Sequence, residues 1–377
     1  MKNKKVLRQN IYLLCVFLLE LRTFCTKVLY IAPFLLLIEK IAFILLIIIS
    51  LYNALTSRLK AKEIIIVVLL LILAGVSIVY TNSPNLSYLI LLPFASKGID
   101  FRKIVKTDLL SKIIITVFLF ACYHLGLTES IVTLSRDGAI RESFGFAHPN
   151  TLGYVCVMSC LDMLYLMKGR VRSVTVRIAV TIIPFLLTLM ANSRTAQIAI
   201  VVSVIFSIIE TVYKKHKKQS KELCSRALRG LIYILPIILI AFSFVSTSAY
   251  ARHEAWAVRL DDVLSRRLYL QDYYEKHHEK SLLGEELMND YLIEKPLDNG
   301  YYRILVNNGI LGLIALVIVV EISLKRSIKE KNGLIPTLNL LLLYGLSEWT
   351  VFRVIVTPFW SIAFASDKER KKIKNEK

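Results

Sequence analysis

Apolar residues along the chain come in continuous blocks that basic and polar segments separate. The blocks are about 15–20 residues long, which is the length that a helix needs to cross the apolar core of a bilayer. They lie at Ile11–Leu21, Val28–Tyr52, Ile64–Tyr80, Leu86–Ser96, Leu109–Leu127, Asn150–Met167, Ile178–Met190, Ala196–Tyr213, Leu231–Phe244, Ile304–Val320, Leu334–Leu346 and Val351–Ala365. This pattern predicts an all-α polytopic membrane protein with about 12 transmembrane helices, folded as a single integral membrane domain over residues 1–377.

The composition excludes an ordinary soluble enzyme. Of the 377 residues, 55% are hydrophobic and 20% are charged, whereas soluble domains carry roughly 45–50% apolar and about 25% charged residues. The chain has 14 Gly, 9 Pro and no repeat of fixed period, which excludes a disordered or fibrous protein. No small-residue cleavage site follows the basic N-terminus, so we expect a retained first span and no removed signal.

The net charge of +20 is first of all a topology signal. Seven of the segments outside the blocks, both termini included, hold 32 of the 48 Lys and Arg residues. The connectors that alternate with these segments are nearly free of Lys. Short loops rich in Lys and Arg stay cytoplasmic, so both termini are expected inside. Nucleic-acid binding is the weaker interpretation of the positive charge.

One long segment, Ser246–Arg303, lies between the ninth and tenth blocks, on the predicted outer side. It holds eight Lys and Arg against eleven Asp and Glu, so it is mildly acidic while the predicted inner loops are basic. Within it, residues 261–281 place apolar side chains near one helical stripe, which predicts an amphipathic helix on the outer membrane surface. Loops of this length are usually functional.

Arginines stand at the outward N-termini of three predicted spans, against the charge rule. Arg136 and Arg141 precede the sixth span, which begins at His148; Arg194 begins the eighth, and Arg303 lies at the tenth. A helix N-terminus disfavours a nearby cation unless both bind a shared anion, and phosphate suits the forked guanidinium. Contact with lipid head groups or pairing with acids of the outer loop would also explain each single arginine. His148 is a ligand, a base or a helix cap, with the structural role favoured.

The sequence contains no motif for common cofactor chemistry. Walker, dinucleotide and His-Glu-x-x-His motifs are absent, so an ATP-driven pump and a zinc peptidase lose their main support. The six cysteines lie mostly in apolar blocks without a Cys-x-x-Cys pair, which favours packing roles over a metal or a disulfide. We therefore expect neither a metal nor another cofactor.

Several short segments resemble Wzy-type polysaccharide polymerases of capsule and exopolysaccharide loci, a family related to the O-antigen ligases. The segments are Arg141–Gly153, Asn192–Thr195, Leu264–Leu268, Leu297–Leu305 and Gly309–Gly312. The third segment is similar to the Ser-Gly-Arg motif of the family's large loop. Here Arg266 replaces the glycine and Arg267 takes the position of the arginine. The order of the segments and the predicted topology extend the resemblance over nearly the whole chain.

The resemblance implies a GT-C-like, metal-independent membrane glycosyltransferase. Such an enzyme polymerises undecaprenyl-diphosphate-linked oligosaccharide repeat units at the outer face of the bacterial cytoplasmic membrane. Its partners would be the lipid-linked oligosaccharide, membrane lipid, and flippase and chain-length regulator proteins, with no nucleic acid. On this interpretation Arg194 and Arg267 act in catalysis. Arg136, Arg141, His148 and Arg303 would bind the substrate diphosphate.

The acceptor hydroxyl of such a reaction needs a general base, and Asp298 is the first candidate. Ligases usually have a histidine at that position. His253 and Glu294 are alternative bases, and Asp298 or Asn299 would alternatively cap the tenth span. Three other classes compete at the level of the whole protein. They are a ligase-type glycosyltransferase with another acceptor, a lipid-linked oligosaccharide flippase, and a membrane scaffold.

Overall fold

The computed structural model describes residues 2–28, 31–56, 61–81, 84–134, 138, 140–168, 173–216, 222–285, 297–330 and 333–366. The structure is 78% helical. Its helices are α1 (Lys2–Phe24), α2 (Ala32–Thr56), α3 (Ala61–Thr81), α4 (Asn85–Ala95), α5 (Phe101–His124), α6 (Pro149–Met167), α7 (Val174–Met190), α8 (Arg194–His216), α9 (Glu222–Ala251), α10 (Ala255–Val263), α11 (Arg267–His277), α12 (Gly300–Glu330) and α13 (Ile335–Tyr344). Two 3₁₀ helices follow, at Trp349–Phe352 and Pro358–Ala363. A short antiparallel hairpin, β1 (Val132–Leu134) with β2 (Ile140–Glu142), connects α5 to α6.

Four helices within the described ranges are long and apolar enough to cross a membrane. They are Pro33–Thr56, Pro149–Met167, Gly230–Ala251 and Gly300–Glu330. Shorter apolar helices lie at Val68–Val79, Asn85–Ala95, Val174–Met190, Arg194–Ile209 and Ile335–Tyr344. The chain is thus a mostly helical protein with four candidate membrane-spanning helices among its described residues. The count of twelve crossings stays a prediction.

The last two predicted spans fold differently from two crossing helices. Helix α13 has 10 residues, or about 15 Å of helix, which is half the thickness of the apolar core. In place of a twelfth helix over Val351–Ala365, the chain forms 3₁₀ turns that pack against α12. One polar group of this segment is satisfied within the protein, since Trp360 donates to the carbonyl of Val351 (2.7 Å). Protein packing therefore replaces lipid around this apolar block.

The chain forms two compact units, which are described separately. Unit 1 contains Met1–Tyr52, Ala95–Ser220 and Ala365–Lys377, and unit 2 contains Asn53–Phe94 and Lys221–Phe364. Nothing tests the expectation of a single membrane domain, so it stays a prediction.

In unit 1, α1 runs parallel to α5. At the start of the pair, Arg8 donates to the carbonyl of Lys97 (3.2 Å). At the other end, Thr128 donates to the carbonyl of Lys27 (3.1 Å). Helix α6 packs against α5, α7 and α8, and most of its residues are buried. The core of unit 1 therefore lies along α5 and α6.

In unit 2, α9 and α12 pack together and carry the segment predicted as the large outer loop. The single amphipathic helix expected over residues 261–281 is divided between two helices, α10 and α11, which pack on α9 through Ala249, Ala257 and Leu268. The chain separates them with two residues in the left-handed conformation, Ser265 (φ 59°) and Arg266 (φ 62°). The location of this segment outside the membrane stays a prediction.

Helix α12 is interrupted near its start. Gly309 has φ 66° and ψ −171°, a combination that only glycine adopts without strain. The interruption exposes backbone groups, and residues 281–285 bind them. Ile310 donates to the carbonyl of Ser281 and Leu311 to that of Leu282, both at 3.1 Å. Irregular backbone inside a membrane helix occurs where protein or a water-filled cavity surrounds it.

Candidate active site

Arg267, one of the predicted catalytic residues, begins α11 after the left-handed turn. Asp261 fixes this turn, since its Oδ1 accepts hydrogen bonds from the backbone N–H of Leu268 (2.7 Å) and Tyr269 (3.1 Å). The carboxylate therefore caps α11. Arg266 stands where the resembled family has glycine, and its positive φ is the conformation that glycine adopts most easily. The turn adopts this conformation with arginine at position 266.

The guanidinium of Arg267 is buried and faces Asp298. Arg267 is 8% exposed, its Nη2 lies 3.7 Å from Oδ2 of Asp298, and its Nη1 donates to the carbonyl of Leu264 (3.0 Å). No described group hydrogen-bonds its Nε. A buried N–H donor without a partner is costly, so this arrangement favours an additional acceptor at the guanidinium.

At the start of α12, one residue caps the helix and a different residue faces Arg267. Oδ1 of Asn299 accepts from the backbone N–H of Tyr301 and of Tyr302, both at 3.0 Å, so Asn299 is the cap. Of the two cap candidates, the structure thus assigns the role to Asn299. The side chain of Asp298 is 18% exposed and lies 3.7 Å from Arg267, so its carboxylate is not needed as the cap.

Arg303 lies one helical turn beyond this cap. Its guanidinium carbon is 3.9 Å from the centre of the Trp349 ring, close enough for a strong cation–π contact. Its Nη1 donates to the carbonyl of Leu297 (3.4 Å), while its buried Nε has no hydrogen-bond partner among the residues described. Arg353 contacts the same ring at 5.1 Å. Trp349 therefore holds two guanidinium groups near each other.

Glu348 is a second carboxylate of the site, and the sequence reasoning missed it. It is 6% exposed, and its Oε1 accepts from the Thr350 hydroxyl at 2.5 Å. Burial, followed by the charge of Asp298, raises the pKa of the Glu348 carboxyl to about 7, against the lowering effects of Thr350 and Arg267. A carboxyl with such a pKa exchanges protons near neutral pH.

A small pocket opens in unit 2 beside Arg303, Trp349 and Arg353. Its charged lining comes from Arg303 and Arg353, and its amide lining from Asn85, Asn307 and Asn308. Both amides of α12 precede the break at Gly309, and Nδ2 of Asn308 donates to the Ser77 hydroxyl (3.2 Å). The interrupted helix therefore contributes directly to the pocket.

The predicted residues of unit 1 form a second group around the start of α6. His148 is the cap of this helix, because its Nδ1 accepts from the backbone N–H of Asn150 (3.1 Å). Its favoured structural role is thus the one seen. Arg141 lies on β2 and donates to Oδ1 of Asn150. Arg136 lies outside the described residues.

Arg194 begins α8 and is exposed. The loop before it packs on α6 at Gly153, where a Cβ would overlap the side chain of Ser193. Glycine at this position therefore lets the segments Arg141–Gly153 and Asn192–Thr195 approach closely. Arg194 belongs to unit 1 while Arg267 and Arg303 belong to unit 2, so their action on one substrate stays a prediction.

Of the two alternative bases, Glu294 lies outside the described residues. His253 is exposed with φ 57° in the turn between α9 and α10, a position that suits a turn residue. No prediction was made for Glu348, Trp349 and Arg353. The available signal was the placement of Glu and Arg inside apolar sequence, which is typical of functional sites in membrane proteins.

These features define a helical membrane protein with a site rich in arginine and carboxylate at the start of an interrupted helix. Within the described part of the chain, no group of three or more His, Cys, Asp or Glu residues is arranged to hold a metal ion. The chain matches no protein-family model, and no curated protein or solved structure shows significant similarity to it.

Proposed function

We propose that the protein is a membrane glycosyltransferase that polymerises undecaprenyl-diphosphate-linked oligosaccharide repeat units into capsular polysaccharide or exopolysaccharide. The proposed location is the outer face of the bacterial cytoplasmic membrane, with both termini in the cytoplasm, as the basic connectors indicate. Flippase and chain-length regulator proteins are proposed partners.

One observation carries the proposal. The guanidinium groups of Arg267 and Arg303 each keep a buried Nε without a hydrogen-bond partner among the described residues. Arg303 lines the pocket, Arg267 lies 3.7 Å from Asp298, and Glu348 interacts electrostatically with both Asp298 and Arg267. Guanidinium donors bind phosphate oxygens in a forked geometry. As the bond to the donor sugar breaks, negative charge develops on the lipid diphosphate, and preorganised arginines stabilise that charge.

The carboxylates supply the complementary proton transfer. The acceptor hydroxyl attacks the anomeric carbon of the donor sugar, its proton passes to Asp298, and undecaprenyl diphosphate leaves. The ion pair with Arg267 holds Asp298 in place (3.7 Å). Glu348 interacts electrostatically with Asp298, so the ionised Glu348 favours transfer of a proton from the acceptor hydroxyl to this part of the site. Asp298 is thus the proposed catalytic base and Glu348 a positioning residue.

The test is the lipid-linked glycan profile of a strain lacking the gene. Loss of a polymerase leaves single repeat units on the outer leaflet, which restored wild-type protein extends. Loss of a flippase instead leaves units on the inner leaflet, and loss of a ligase leaves long lipid-linked chains. Either of these last two profiles would contradict the proposal.

Variants expressed in the same strain distinguish a loss of activity at the site from a loss of folding. Arg267→Ala protein should insert normally and leave single units. Arg252→Ala provides a matched control, because Arg252 is a neighbouring arginine, 63% exposed at its side chain, that pairs with Glu254. This control should restore polymer of normal length.

A further inference from the structure

Unit 1 contains a cluster of four fully buried ionisable side chains that the proposed reaction does not use. Glu20 comes from α1, Asp108 and Lys112 come from α5, and Asp162 comes from α6. Each has no exposed surface. Lys112 lies halfway along α5. Ionisable groups at such positions in membrane helices are rare and mark functional sites.

Lys112 is at the centre of the cluster. Its Nζ is hydrogen-bonded to Oδ2 of Asp108, and lies 3.6 Å from Oδ2 of Asp162 and 3.8 Å from Oε1 of Glu20. Three helices therefore converge on one ammonium group.

Most carboxyl oxygens of the cluster lack a hydrogen-bond donor. Across the residues that the structure describes, none donates to either oxygen of Glu20, to either oxygen of Asp162, or to Oδ1 of Asp108. Carboxylate oxygens buried without donors are strongly destabilising. The cluster thus contains more hydrogen-bond acceptors than the ammonium group of Lys112 can satisfy.

The charges lead to the same conclusion. Three ionised carboxylates and one ammonium give a net charge of −2, and such a charge is not stable in a low-dielectric interior. Two further positive charges must be present. Carboxyls in close contact commonly share protons for this reason, and no metal-binding arrangement exists among the described acids.

We propose that this cluster is a proton-binding site that holds two protons at neutral pH, one on Glu20 and one on Asp162. Asp108 and Lys112 then form the central ion pair, and the protonated carboxyls donate to the remaining oxygens. The cluster is neutral in this state and joins α1, α5 and α6.

The groups around the site support this assignment. From α6, the Cys160 thiol interacts with Asp162. Arg22 of α1 pairs with Glu39 at 3.2 Å. Arg177 of α7 donates to Ser207 of α8 at 2.6 Å. Arg22 and Arg177 thus have partners outside the cluster, and Lys112 is the cation that contacts its three carboxyls. Protons are then the source of the missing charge.

Infrared spectroscopy of the purified protein in detergent tests the proposal directly. At neutral pH, the spectrum should contain carbonyl bands of two protonated carboxyls that are absent from the Glu20→Gln/Asp162→Asn variant. Glu254→Gln is the control and should remove no such band, since hydrogen bonds from Arg252 and Trp256 lower the pKa of Glu254. Identical carboxyl bands in wild type and the double variant would overturn the assignment.

Thermal unfolding provides a second readout. Because the unfolded chain releases these protons above about pH 4, native stability should fall as pH rises. That fall should be smaller in the double variant, which should melt close to wild type at neutral pH. If Na⁺ or K⁺ stabilises the wild type but not the double variant, a metal cation neutralises the cluster in place of protons, and the proposal is wrong.

Substitutions of the ion pair complete the test. Lys112→Met alone should cause a large loss of folded protein, because it leaves the carboxyls without a cation. Lys112→Met combined with Asp108→Asn should recover much of that loss, since the remaining acids are already neutral. A double substitution more damaging than Lys112→Met alone would contradict the proposed charge distribution.

Discussion

Both units bury charged side chains, but the two sets differ in their balance of hydrogen-bond donors and acceptors. The cluster around Lys112 has one cation among three carboxyls and no exposed surface. The site around Arg267 and Arg303 combines arginines with two acids beside an open pocket. In the first set the acceptors are in excess, and in the second the donors are.

This difference separates a structural function from a binding function. Protons can neutralise the excess carboxylates of the Lys112 cluster. The cluster therefore needs no other ligand, and it holds α1, α5 and α6 together. An arginine cannot lose its proton in a protein, so the Nε groups of Arg267 and Arg303, which have no hydrogen-bond partner among the described residues, favour an acceptor from outside. Substitutions in the first set should therefore change stability, and those in the second should change activity.

The largest effect on activity is expected from the arginines. Arg267→Ala should lower the rate of chain growth by about 10²–10³-fold, the usual consequence of removing one group that stabilises transition-state charge. Arg267→Lys should restore little, because the ammonium lacks the forked geometry. Measurement of polymer yield in membranes, with protein amounts matched by immunoblot, checks this expectation.

Arg194→Ala extends the comparison to unit 1. An equal loss of chain growth is expected if this exposed arginine contacts the same diphosphate. Polymer of normal length from Arg194→Ala protein would restrict the site to unit 2.

The next effect concerns Glu348 and pH. Because the pKa of this group is about 7 in the folded protein, its carboxylate forms as pH rises through about 7, and the rate of proton transfer from the acceptor should increase with it. Glu348→Gln should remove this increase from the pH–rate profile while turnover stays within about tenfold of wild type. Loss of all turnover would instead make Glu348 the base.

Turnover should rise with pH through Glu348, whereas the contribution of Glu348 to stability should fall as pH rises. Its folded pKa lies above the ordinary value of 4.5, so the native state binds the proton more tightly than the unfolded chain. Stability should fall as pH rises from about 4 to about 7, by on the order of 3 kcal/mol, and then stop changing. When melting temperature is plotted against pH over this range, it should fall more steeply for the wild type than for Glu348→Gln.

The break in α12 is expected to have a moderate effect on stability. A Cβ on Gly309 would overlap the carbonyl of Leu282 and would require a positive φ, so Gly309→Ala should destabilise by about 2–4 kcal/mol. Gly75→Ala is the control, because Gly75 lies in α3 with open space around it. Equal melting temperatures for the two variants would show that the break is dispensable.

The smallest effect is expected at the cap of α12. Asn299→Ala removes two hydrogen bonds to the helix N-terminus and should destabilise by about 0.5–2 kcal/mol, whereas Asn299→Asp should preserve the cap. Melting temperatures distinguish the two variants. A loss in both would mean that the amide is needed for its bond to Ser243.

The helical membrane character and several site residues could be predicted from the sequence. Arg267 and Asp298 were predicted separately, and the structure brings them to 3.7 Å. The apolar block after Glu348 was predicted as a membrane span because burial in protein and burial in lipid select the same residues. Helix length and charge parity could not reveal that it packs within unit 2.

The Lys112 cluster was also invisible as a pattern. Glu20 and Asp162 are 142 positions apart in the sequence, and only the packing of α1 and α6 on α5 brings them to one lysine. The interruption at Gly309 was missed for a related reason. Its left-handed conformation depends on residues 281–285, which bind the open backbone, and the glycine alone carries no such information.

The central claim is that the site around Arg267 and Asp298 joins lipid-linked repeat units. The most direct measurement incubates purified protein with an undecaprenyl-diphosphate-linked oligosaccharide and determines product length. Wild type should yield a ladder that grows by whole repeat units, and Asp298→Asn should lower its formation by about 10²–10⁴-fold while lipid diphosphate binding persists. Unchanged single units with the wild-type protein, or an undiminished ladder with Asp298→Asn, would contradict the account.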